Sequence, residues 1–495
     1  MSSYIEQIRS AVYGRHPIVY LQSPEEDRII STLERLASEC FADGTVTTWT
    51  CTEGLLPSSK KGDTRDPVKA VQTLMTAPHA GFYVMKDLSL FMERPDVIRV
   101  LRDAYYVLAR ATNACLVILS PELVLPTILE KEICLVEVDL PTTEELLERV
   151  VNVQKGYPHY QIPEALHSEL ALSLKGLTLN EVGHIMHRVA HNGTTDDQEV
   201  IREIFSQKET LVKKAGILEY VPPRLNMDQM GGMGNLKDWI LKRRALFNQE
   251  SVDKGLPVPK GILVMGVSGC GKSLCAKVVA AFWKLPLFRL DMNLVHSNSF
   301  GTPEITFHRA LKTVESVAPA ILWIDEIENG LNMTPGSQTG GGNHIFSAFL
   351  TWMQEKPPLV FVAATANQIQ ALPAEVIRKG RFDQVFFCDL PTDEERPKII
   401  EIHLKNAGAD PSEFDYEYLT MATEGWNGAE VEQAVIAARI DALQENRKFT
   451  TRDLARQIRN IVPLSETMKE QIKAIRSWAW GRATPASSTK GRKMS

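Results

Sequence analysis

Long apolar runs, paired cysteines and a dominant charge of one sign are all missing from this sequence. No apolar run reaches the ~20 residues that a helix needs to cross a bilayer. The first residues, Met1–Glu6, lack a basic stretch followed by an apolar core and do not predict a secretory signal. The net charge of −6 gives no overall positive field, which argues against nucleic acid as a partner.

The seven cysteines are odd in number and have no paired spacing, so they do not indicate a disulfide framework. Cys115, Cys134 and Cys388 lie in apolar runs and predict buried free thiols in a reducing compartment. No H-E-x-x-H motif occurs, so the chain carries no zinc-protease motif of that type. The length of 495 residues and the ordinary apolar fraction predict two or three globular domains.

A complete G-x-x-x-x-G-K-[ST] motif lies at 266–273, between the apolar run 261–265 and a helical stretch at 274–284. This order predicts a loop whose glycines turn the backbone N–H groups toward phosphate at a helix N-terminus. Lys272 would reach the β- and γ-phosphates of a nucleotide, and Ser273 would hold Mg²⁺. The other predicted nucleotide contacts in this segment are Val267, Ser268, Gly269, Cys270, Gly271 and Leu274.

Cys270 has two interpretations. A helix N-terminus can lower a thiol pKa, so oxidation at this position could block nucleotide binding. Alternatively, Cys270 is a tolerated small residue of the loop.

A second signature follows the apolar run 320–324, which predicts a buried strand. Asp325 and Glu326 come at its carboxyl end, where parallel sheets hold ligands. Asp325 is suited to bind Mg²⁺, and Glu326 is suited to polarise an attacking water. The next predicted strand, 358–367, ends on Asn367, our choice for a side chain that binds the γ-phosphate or the water, with Thr365 as the alternative.

Two arginines follow that strand, Arg378 and Arg381. Either could neutralise charge on a transferred phosphoryl group. Because they lie at the far side of the predicted sheet, we expect them to serve a neighbouring subunit, which requires an oligomer. The alternative is that both make ordinary surface ion pairs.

An internal repeat divides the chain. The phrase Asp-Leu-Pro-Thr begins at Asp139 and again at Asp389, and strand and helix signals keep their order around both copies. After its first strand the first copy reads Ser-Pro-Glu-Glu-Asp-Arg at 23–28, with no glycine and no Lys-Ser pair. Acidic residues there would repel phosphate, so the first copy is predicted to keep the fold and to bind no ATP.

A stripe of Glu181, His184, His187 and His191 could in principle bind zinc. We favour a helix of the repeated unit instead, because one helix rarely supplies a whole metal site. A glycine-rich loop at 334–343 is predicted to be mobile, either as a plain connector or as a segment that orders with nucleotide or a partner.

Together these motifs make the second half of the chain resemble the AAA ATPase module. The resemblance implies that Met230 and Gly231 pass near the adenine and that Gly428 and Ala429 lie on a helical lid near the nucleotide. Two departures stand out. Ala366 separates the usual Ala-Thr from Asn367, and the position where substrate-threading members carry an aromatic residue is Ser299, with Phe300 one place later. Phe300 could line a central pore or pack into the core.

The whole chain resembles a narrower group, the AAA proteins first noted as hypothetical reading frames in algal plastids and cyanobacteria. This resemblance implies a regulatory role in a photosynthetic or bacterial cell, in the cytoplasm or plastid stroma.

The expected fold class is α/β: a P-loop NTPase (AAA) sheet sandwiched by helices, plus a helical lid, preceded by a degenerate AAA-like copy. The expected domains are 1–218 (degenerate copy), 219–392 (large ATPase domain), 393–480 (lid) and 481–495 (flexible basic tail). The expected function is Mg²⁺-dependent ATP hydrolysis at the subunit interfaces of a hexameric ring that remodels or regulates a protein client. The main alternative is a slowly hydrolysing, ATP-dependent binding switch; a nucleic-acid loader is disfavoured.

Overall fold

Apolar runs form the strands of two separate sheets in the computed structural model. The described residues are 3–57, 64–76, 79–110, 113–157, 167–192, 197–222, 225–297, 301–330, 341–368, 374–378 and 380–488. The chain divides into two compact units. Unit 1 comprises Met1–Tyr160 and Leu177–His191, and unit 2 comprises Gln161–Gly176 and Asn192–Ser495.

The helices, in chain order, are α1 (Ser3–Tyr13), α2 (Glu26–Cys40), α3 (Pro67–Thr76), α4 (Pro95–Leu108), α5 (Thr143–Lys155), α6 (His167–Leu174), α7 (Leu179–Asn192), α8 (Asp197–Ala215), α9 (Gly234–Arg244), α10 (Gln249–Asp253), α11 (Lys272–Trp283), α12 (Met292–His296), α13 (Pro303–Ser316), α14 (Ile327–Gly330), α15 (Gly341–Glu355), α16 (Ala374–Ile377), α17 (Arg396–Asn406), α18 (Tyr416–Ala422), α19 (Gly428–Gln444), α20 (Thr451–Asn460), α21 (Leu464–Thr467) and α22 (Lys469–Ala479). The strands are β1 (Ile18–Gln22), β2 (Thr45–Thr50), β3 (Gly54–Leu56), β4 (Gly81–Lys86), β5 (Ala114–Ser120), β6 (Cys134–Glu137), β7 (Leu218–Val221), β8 (Gly261–Gly266), β9 (Leu287–Leu290), β10 (Ala320–Ile324), β11 (Val360–Ala366), β12 (Gln384–Cys388) and β13 (Thr484–Pro485).

The two sheets repeat one topology. Unit 1 has the order β3-β2-β4-β5-β1-β6, and unit 2 has β13-β12-β8-β11-β10-β9-β7. The parallel strands β6-β1-β5-β4-β2 therefore correspond one by one to β12-β8-β11-β10-β9. The predicted fold class is confirmed: each unit has a mainly parallel sheet with helices on its faces.

Alternation along the strands explains the layered architecture of unit 2. Successive side chains of a strand point to opposite faces, and in β11 Val360 and Val362 enter one apolar core while Phe361 and Ala363 enter the other. Strands buried on both faces read as continuous apolar runs, which is why the sequence predicted them.

The lid has its own apolar core. α17–α20 pack around Leu404, Leu419, Trp426 and Val435, among others. After α20 the chain returns to the sheet: Ile472 of α22 is buried in a core of the large domain. The lid was expected to run to residue 480, but α22 packs on the large domain instead.

The prediction of a flexible tail from residue 481 also differs from the structure. β13 pairs in parallel with β12, and Ala486 is 1% exposed. An apolar docking position and main-chain pairing hold this segment, although its composition is polar. Residues 489–495, Ser299, Phe300 and most of the glycine-rich loop 334–343 lie outside the described residues.

Candidate nucleotide-binding site

The predicted phosphate loop connects β8 to α11 at the carboxyl edge of the sheet of unit 2. At two positions of this loop the backbone conformation requires glycine. Gly266 has a φ of 138°, and a Cβ there would lie 2.0 Å from the carbonyl oxygen of Cys388. Gly271 has a φ of 82°, a left-handed conformation that lets α11 begin at the next residue. The loop therefore presents backbone to the cleft, as an anion site requires.

Lys272 is folded into the loop that precedes it. Its Nζ donates to the carbonyl oxygens of Gly266 and Val267, at 2.9 and 2.8 Å. Burial lowers the pKa of Lys272, since the charged ammonium is largely removed from water. A phosphate group in the loop would offer this ammonium a charged acceptor in place of two neutral ones.

Three polar side chains meet where β10 and β11 end. Asp325 Oδ1 accepts hydrogen bonds from Ser273 Oγ at 3.1 Å and from Thr365 Oγ1 at 2.6 Å. Thr365 Oγ1 in turn accepts from the backbone N–H of Glu326 at 3.0 Å. This bond holds Glu326 at a φ of 47°, an uncommon conformation for a residue other than glycine.

Asn367 and Glu326 face each other. The amide Nδ2 of Asn367 donates to Glu326 Oε1 at 2.6 Å, and the Asn367 backbone N–H donates to Glu328 Oε1 at 2.7 Å. Thr365 is buried behind the carboxylates, whereas Asn367 lines the cleft. Both candidates for the polar residue at the end of this strand therefore contact the acidic pair: Thr365 bonds to the Asp325 side chain and Asn367 to the Glu326 side chain.

A cleft of about 590 Å³ adjoins these groups. The predicted residues that line it are Met230, Gly231, Ser268, Gly269, Cys270, Gly271, Lys272, Ser273, Leu274, Glu326, Asn367, Gly428 and Ala429. Val267 and Asp325 are not part of this lining: Val267 is buried, and Asp325 is bonded to Ser273, which lines the cleft. The structure thus brings together segments that are up to about 200 residues apart in sequence.

The start of α19 closes one side of the cleft. The backbone N–H of Ala429 donates to the carbonyl oxygen of Gly269 at 3.1 Å. Asn427 and Glu430 form a reciprocal capping box at this helix end. A Cβ on Gly269 would lie 2.7 Å from the Asn427 side chain, so the loop and the lid fit without space for any residue larger than glycine.

The sequence reasoning missed several cleft residues: Leu225, Gln229, Met233, Cys388, Asp389, Pro391, Glu395, Ile399, Ile402, His403, Asn406, Glu432 and Ser487. Asp389 belongs to the repeated Asp-Leu-Pro-Thr phrase, which was the available signal for it. Glu395 Oε1 accepts from the backbone N–H of Met233 at 3.0 Å, which ties the lid entrance to the segment before α9. Burial lowers the pKa of His403, which favours the neutral ring.

Arg378 and Arg381 do not line the cleft of their own chain. Arg378 is exposed, and Arg381 donates through Nη1 to the carbonyl oxygen of Glu375. Within the described part of the chain neither arginine forms an ion pair with a carboxylate.

Cys270 is 7% exposed, and burial raises its pKa. Desolvation of the thiolate is the main cause of this rise, which is opposite in direction to the lowering suggested from the helix N-terminus. Of the three cysteines predicted to be buried, Cys115 and Cys388 are buried and Cys134 is partly exposed.

In unit 1, the position that corresponds to the phosphate loop of unit 2 holds a carboxylate. Glu25, just after β1, is 4% exposed and accepts from Arg28 Nη1 at 2.9 Å. Its other oxygen accepts from the backbone N–H of Leu179, at the start of α7, at 2.7 Å. In unit 2 the start of α19 meets the phosphate loop, so in unit 1 an acidic side chain occupies the place of that loop.

The stripe at 181–191 lies on α7. Glu181 Oε2 accepts from the backbone N–H of Thr178 at 2.9 Å, and His187 Nδ1 lies 3.3 Å from the hydroxyl of Tyr157. Among the described residues no group of three or more His, Cys, Asp or Glu side chains is arranged around a metal site. No helix within the described ranges has both the length and the apolar character of a membrane span.

Ser273 and Asp325 fit a magnesium ion. The hydroxyl and carboxylate oxygens lie 3.1 Å apart at the edge of the phosphate cleft, and hard oxygen ligands are those that Mg²⁺ prefers beside phosphate. Gly269 and Gly271 line the cleft beside them, where glycine lets the backbone come close to a phosphate.

Two family models match the chain. Residues 262–390 match the model described as ATPase family associated with various cellular activities (AAA). Residues 4–138 match the model described as SpoVK-like AAA ATPase, N-terminal domain.

The chain is also similar to whole proteins. It is 33% identical over 492 residues to the uncharacterized AAA domain-containing protein ycf46 of Gracilaria tenuistipitata var. liui, covering 96% of this chain and 98% of that one. The protein of the same name from Guillardia theta is 32% identical over 483 residues, covering 96% and 95%. The ATP-dependent zinc metalloprotease FtsH of Aster yellows witches'-broom phytoplasma (strain AYWB) is 32% identical over 240 residues, covering 46% of this chain and 35% of that protein.

Proposed function

Because this chain belongs to the AAA family of ATPases, we propose that it hydrolyses ATP in the cleft of unit 2 and uses the energy to remodel or regulate a protein client. The observation that carries the proposal is the continuous set of hydrogen bonds from Ser273 through Asp325 and Thr365 to Glu326 and Asn367. These bonds fix a carboxylate pair beside a loop shaped for phosphate.

Binding is assigned to the loop and its surroundings. The N–H groups of the loop and Lys272 contact the phosphates, while Met230 and Gly231 border the adenine end. Ser273 and Asp325 would hold Mg²⁺, which when bound neutralises charge on the phosphate oxygens.

Glu326 is the proposed base that orients and polarises the attacking water. Its exposed position in the cleft gives water access, and its backbone is fixed through Thr365. Asn367 bonds to one carboxylate oxygen and is suited to hold either the base or the γ-phosphate.

Arg378 and Arg381 are proposed to act on the nucleotide of a neighbouring copy. Both lie outside the cleft of their own chain, and a phosphoryl transfer site gains from a cation at the γ-phosphate. This arrangement requires a closed ring, and six copies is the proposed number. Hydrolysis would change the contact between Ala429 and Gly269 and so move the lid against the sheet.

Unit 1 is proposed as a recognition module without a nucleotide. The buried Glu25 occupies the place of a phosphate loop and would repel an anion. A reducing compartment, the cytoplasm or plastid stroma, is proposed from the cysteines, all of which are free.

The central test separates binding from turnover. Glu326→Gln should bind ATP with unchanged affinity and lose turnover, while Lys272→Ala should lose binding. Lys277→Ala, on the same helix, is the matched control and should keep both. Binding is measured with a fluorescent ATP analogue and turnover by phosphate release in the presence of Mg²⁺. Normal turnover by Glu326→Gln would refute the mechanism.

One observation favours a second candidate function, a slow ATP-dependent switch. The Asn367 amide holds the proposed base at 2.6 Å, which opposes its action on water. Tight ATP binding with turnover below about one per minute would support the switch. In that case a pull-down with ATP-loaded Glu326→Gln identifies the client that the bound state holds.

A further inference from the structure

Residues 484–488, here called the C-terminal strap, border the nucleotide cleft from the edge of the sheet. β13 pairs with β12, and the backbone N–H of Ala486 donates to the carbonyl oxygen of Phe387 at 2.9 Å. The next residue, Ser487, lines the cleft. The strap therefore lines the site although it begins 55 residues after Ala429, the last residue that the sequence motifs placed near the nucleotide.

The strap also completes the N-terminus of α9. The residue before this helix, Met233, has a φ of 57° and provides no side-chain cap. The first N–H groups of a helix need acceptors from outside it, and the carbonyl oxygen of Ala486 accepts from the backbone N–H of Leu236 at 3.2 Å. A backbone carbonyl of the strap thus accepts a hydrogen bond from the start of α9, in place of a capping side chain.

A single side chain clamps the strap to α9. Asn235 Nδ2 donates to the carbonyl oxygens of Pro485 and Ser487, at 3.0 and 2.9 Å. Beside it, a Cβ on Gly234 would lie 2.4 Å from Ser488 Oγ, so helix and strap are in close contact. The strap and the start of α9 therefore hold each other in place.

The segment Met230–Met233 directly precedes α9, and it lines the cleft through Met230, Gly231 and Met233. Met233 reaches the phosphate loop, since its Cε would be 3.2 Å from a Cβ on Gly271. We infer that the C-terminal strap is a positioning element of the nucleotide site: it holds Met230–Met233 against the cleft and so sets the affinity for the adenine and ribose end of ATP. This inference rests on the proposed function and goes beyond it, because it assigns control of the site to the end of the chain.

The test compares two shortened chains with the full chain. A chain that ends at Ala483 lacks the strap, and a chain that ends at Ser488 keeps it and lacks only the basic segment beyond. The first should bind ATP about tenfold more weakly, and the second should bind as the full chain does. Affinity for inorganic tripolyphosphate, which has no base or ribose, should stay the same in all three.

Asn235→Ala in the full chain removes only the two clamping bonds and should weaken ATP binding several-fold in the same selective manner. A peptide with the sequence 481–488, added to the chain that ends at Ala483, should restore affinity. Thermal unfolding of each variant checks that it is folded. If the chain that ends at Ala483 is unfolded, the Asn235→Ala variant still tests the inference.

Three outcomes would overturn the inference. If the chain binds ATP equally well with and without the strap, the strap does not position the site. An equal loss in the chain that ends at Ser488 assigns the effect to the charge of the last residues. A loss shared by ATP and tripolyphosphate indicates general loosening of the fold. By contrast, a full chain that binds no ATP, with the Lys272→Ala variant indistinguishable from it, refutes the proposed function itself.

Discussion

Thr365 is the residue on which the acidic pair of the cleft depends. Its hydroxyl donates to Asp325 and accepts from the backbone of Glu326, while the side chain is almost completely buried. One hydroxyl thus orients Asp325, the proposed ligand of Mg²⁺, and fixes the backbone of Glu326, the proposed base. A position with two such bonds tolerates a hydroxyl and little else.

Thr365→Val should lower ATP turnover by about tenfold or more, since the hydrogen bond to the Asp325 carboxylate and the bond from the Glu326 N–H to Thr365 are both lost. Thr365→Ser keeps the hydroxyl and should retain most of the activity. Steady-state phosphate release measures both, with thermal unfolding as the control for folding. Equal activity of the valine and serine variants would show that the hydroxyl has no role.

Lys208 is a buried lysine on α8 with no described carboxylate partner. Its Nζ donates to the carbonyl oxygen of Val317 at 3.0 Å, and burial, assisted by the nearby charge of Lys175, lowers its pKa to about 7. In the unfolded chain its pKa is about 10.4. Between these two pKa values Lys208 is protonated in the unfolded state and largely neutral in the folded state, so the free energy of unfolding rises with pH above 7. Below pH 7 the lysine is protonated in both states, and its contribution to stability is constant.

Comparison with Lys208→Met isolates this effect. From pH 7 to pH 8.5 the wild-type free energy of unfolding should rise relative to the variant by about 1–2 kcal/mol. Lys213→Met, an exposed position on the same helix, should follow the wild type. Denaturant unfolding at several pH values measures the difference, and parallel profiles for wild type and Lys208→Met would contradict the assignment.

At the scale of elements, α7 and α19 begin in corresponding places and meet different partners. The start of α19 bonds to the phosphate loop, whereas the start of α7 bonds to the carboxylate of Glu25. Glu25 also pairs with Arg28, which pairs with Glu145. Unit 1 thus stabilises with side chains an arrangement that in unit 2 is open to an anion.

Glu25→Ala should destabilise unit 1 by about 3 kcal/mol, because Arg28 is left buried without one of its partners. Glu26→Ala is the matched control, since the Glu26 side chain is 42% exposed and its ion pair with Lys86 should contribute little. Hydrogen exchange of the α7 amides in the full chain reports the change. Equal exchange in the two variants would mean that the buried carboxylate does not hold the helix.

The elements that the sequence predicted are those whose signals are contiguous. β8, β10 and β11 are unbroken apolar runs. Asp325 and Glu326 directly follow β10, and Lys272 and Ser273 follow β8 after the short loop 267–271. Asp389, Glu395 and Ser487 were not found, because the fold brings them to the cleft from elements with no phosphate-binding pattern. β13 was missed because two paired residues in a polar segment have no periodicity to detect.

At the scale of the whole molecule, the proposed mechanism requires more than one copy of the chain. The phosphate loop, Glu326 and Asn367 line the cleft, while Arg378 and Arg381 are not part of its lining. If a second copy completes the site as proposed, activity is a property of the assembly.

A mixing experiment tests this dependence. Arg378→Ala and Glu326→Gln should each be inactive alone, and an equal mixture should recover about a quarter of the wild-type rate, since that share of interfaces combines one intact cleft with one intact arginine. Wild-type activity per chain should also rise with protein concentration. No recovery in a mixture shown by co-purification to contain both chains would place the arginines outside catalysis.

The lid is attached to the large domain at both of its ends. The chain enters it after Pro391 and leaves it before α22, whose Arg476 forms a bidentate pair with Asp389 on the sheet side of the entrance. A body anchored at two points can swing about the line that joins them and has little other freedom. We therefore propose that the nucleotide cleft opens by rotation of the lid about a line through its two attachment points, beside Asp389 and Pro463.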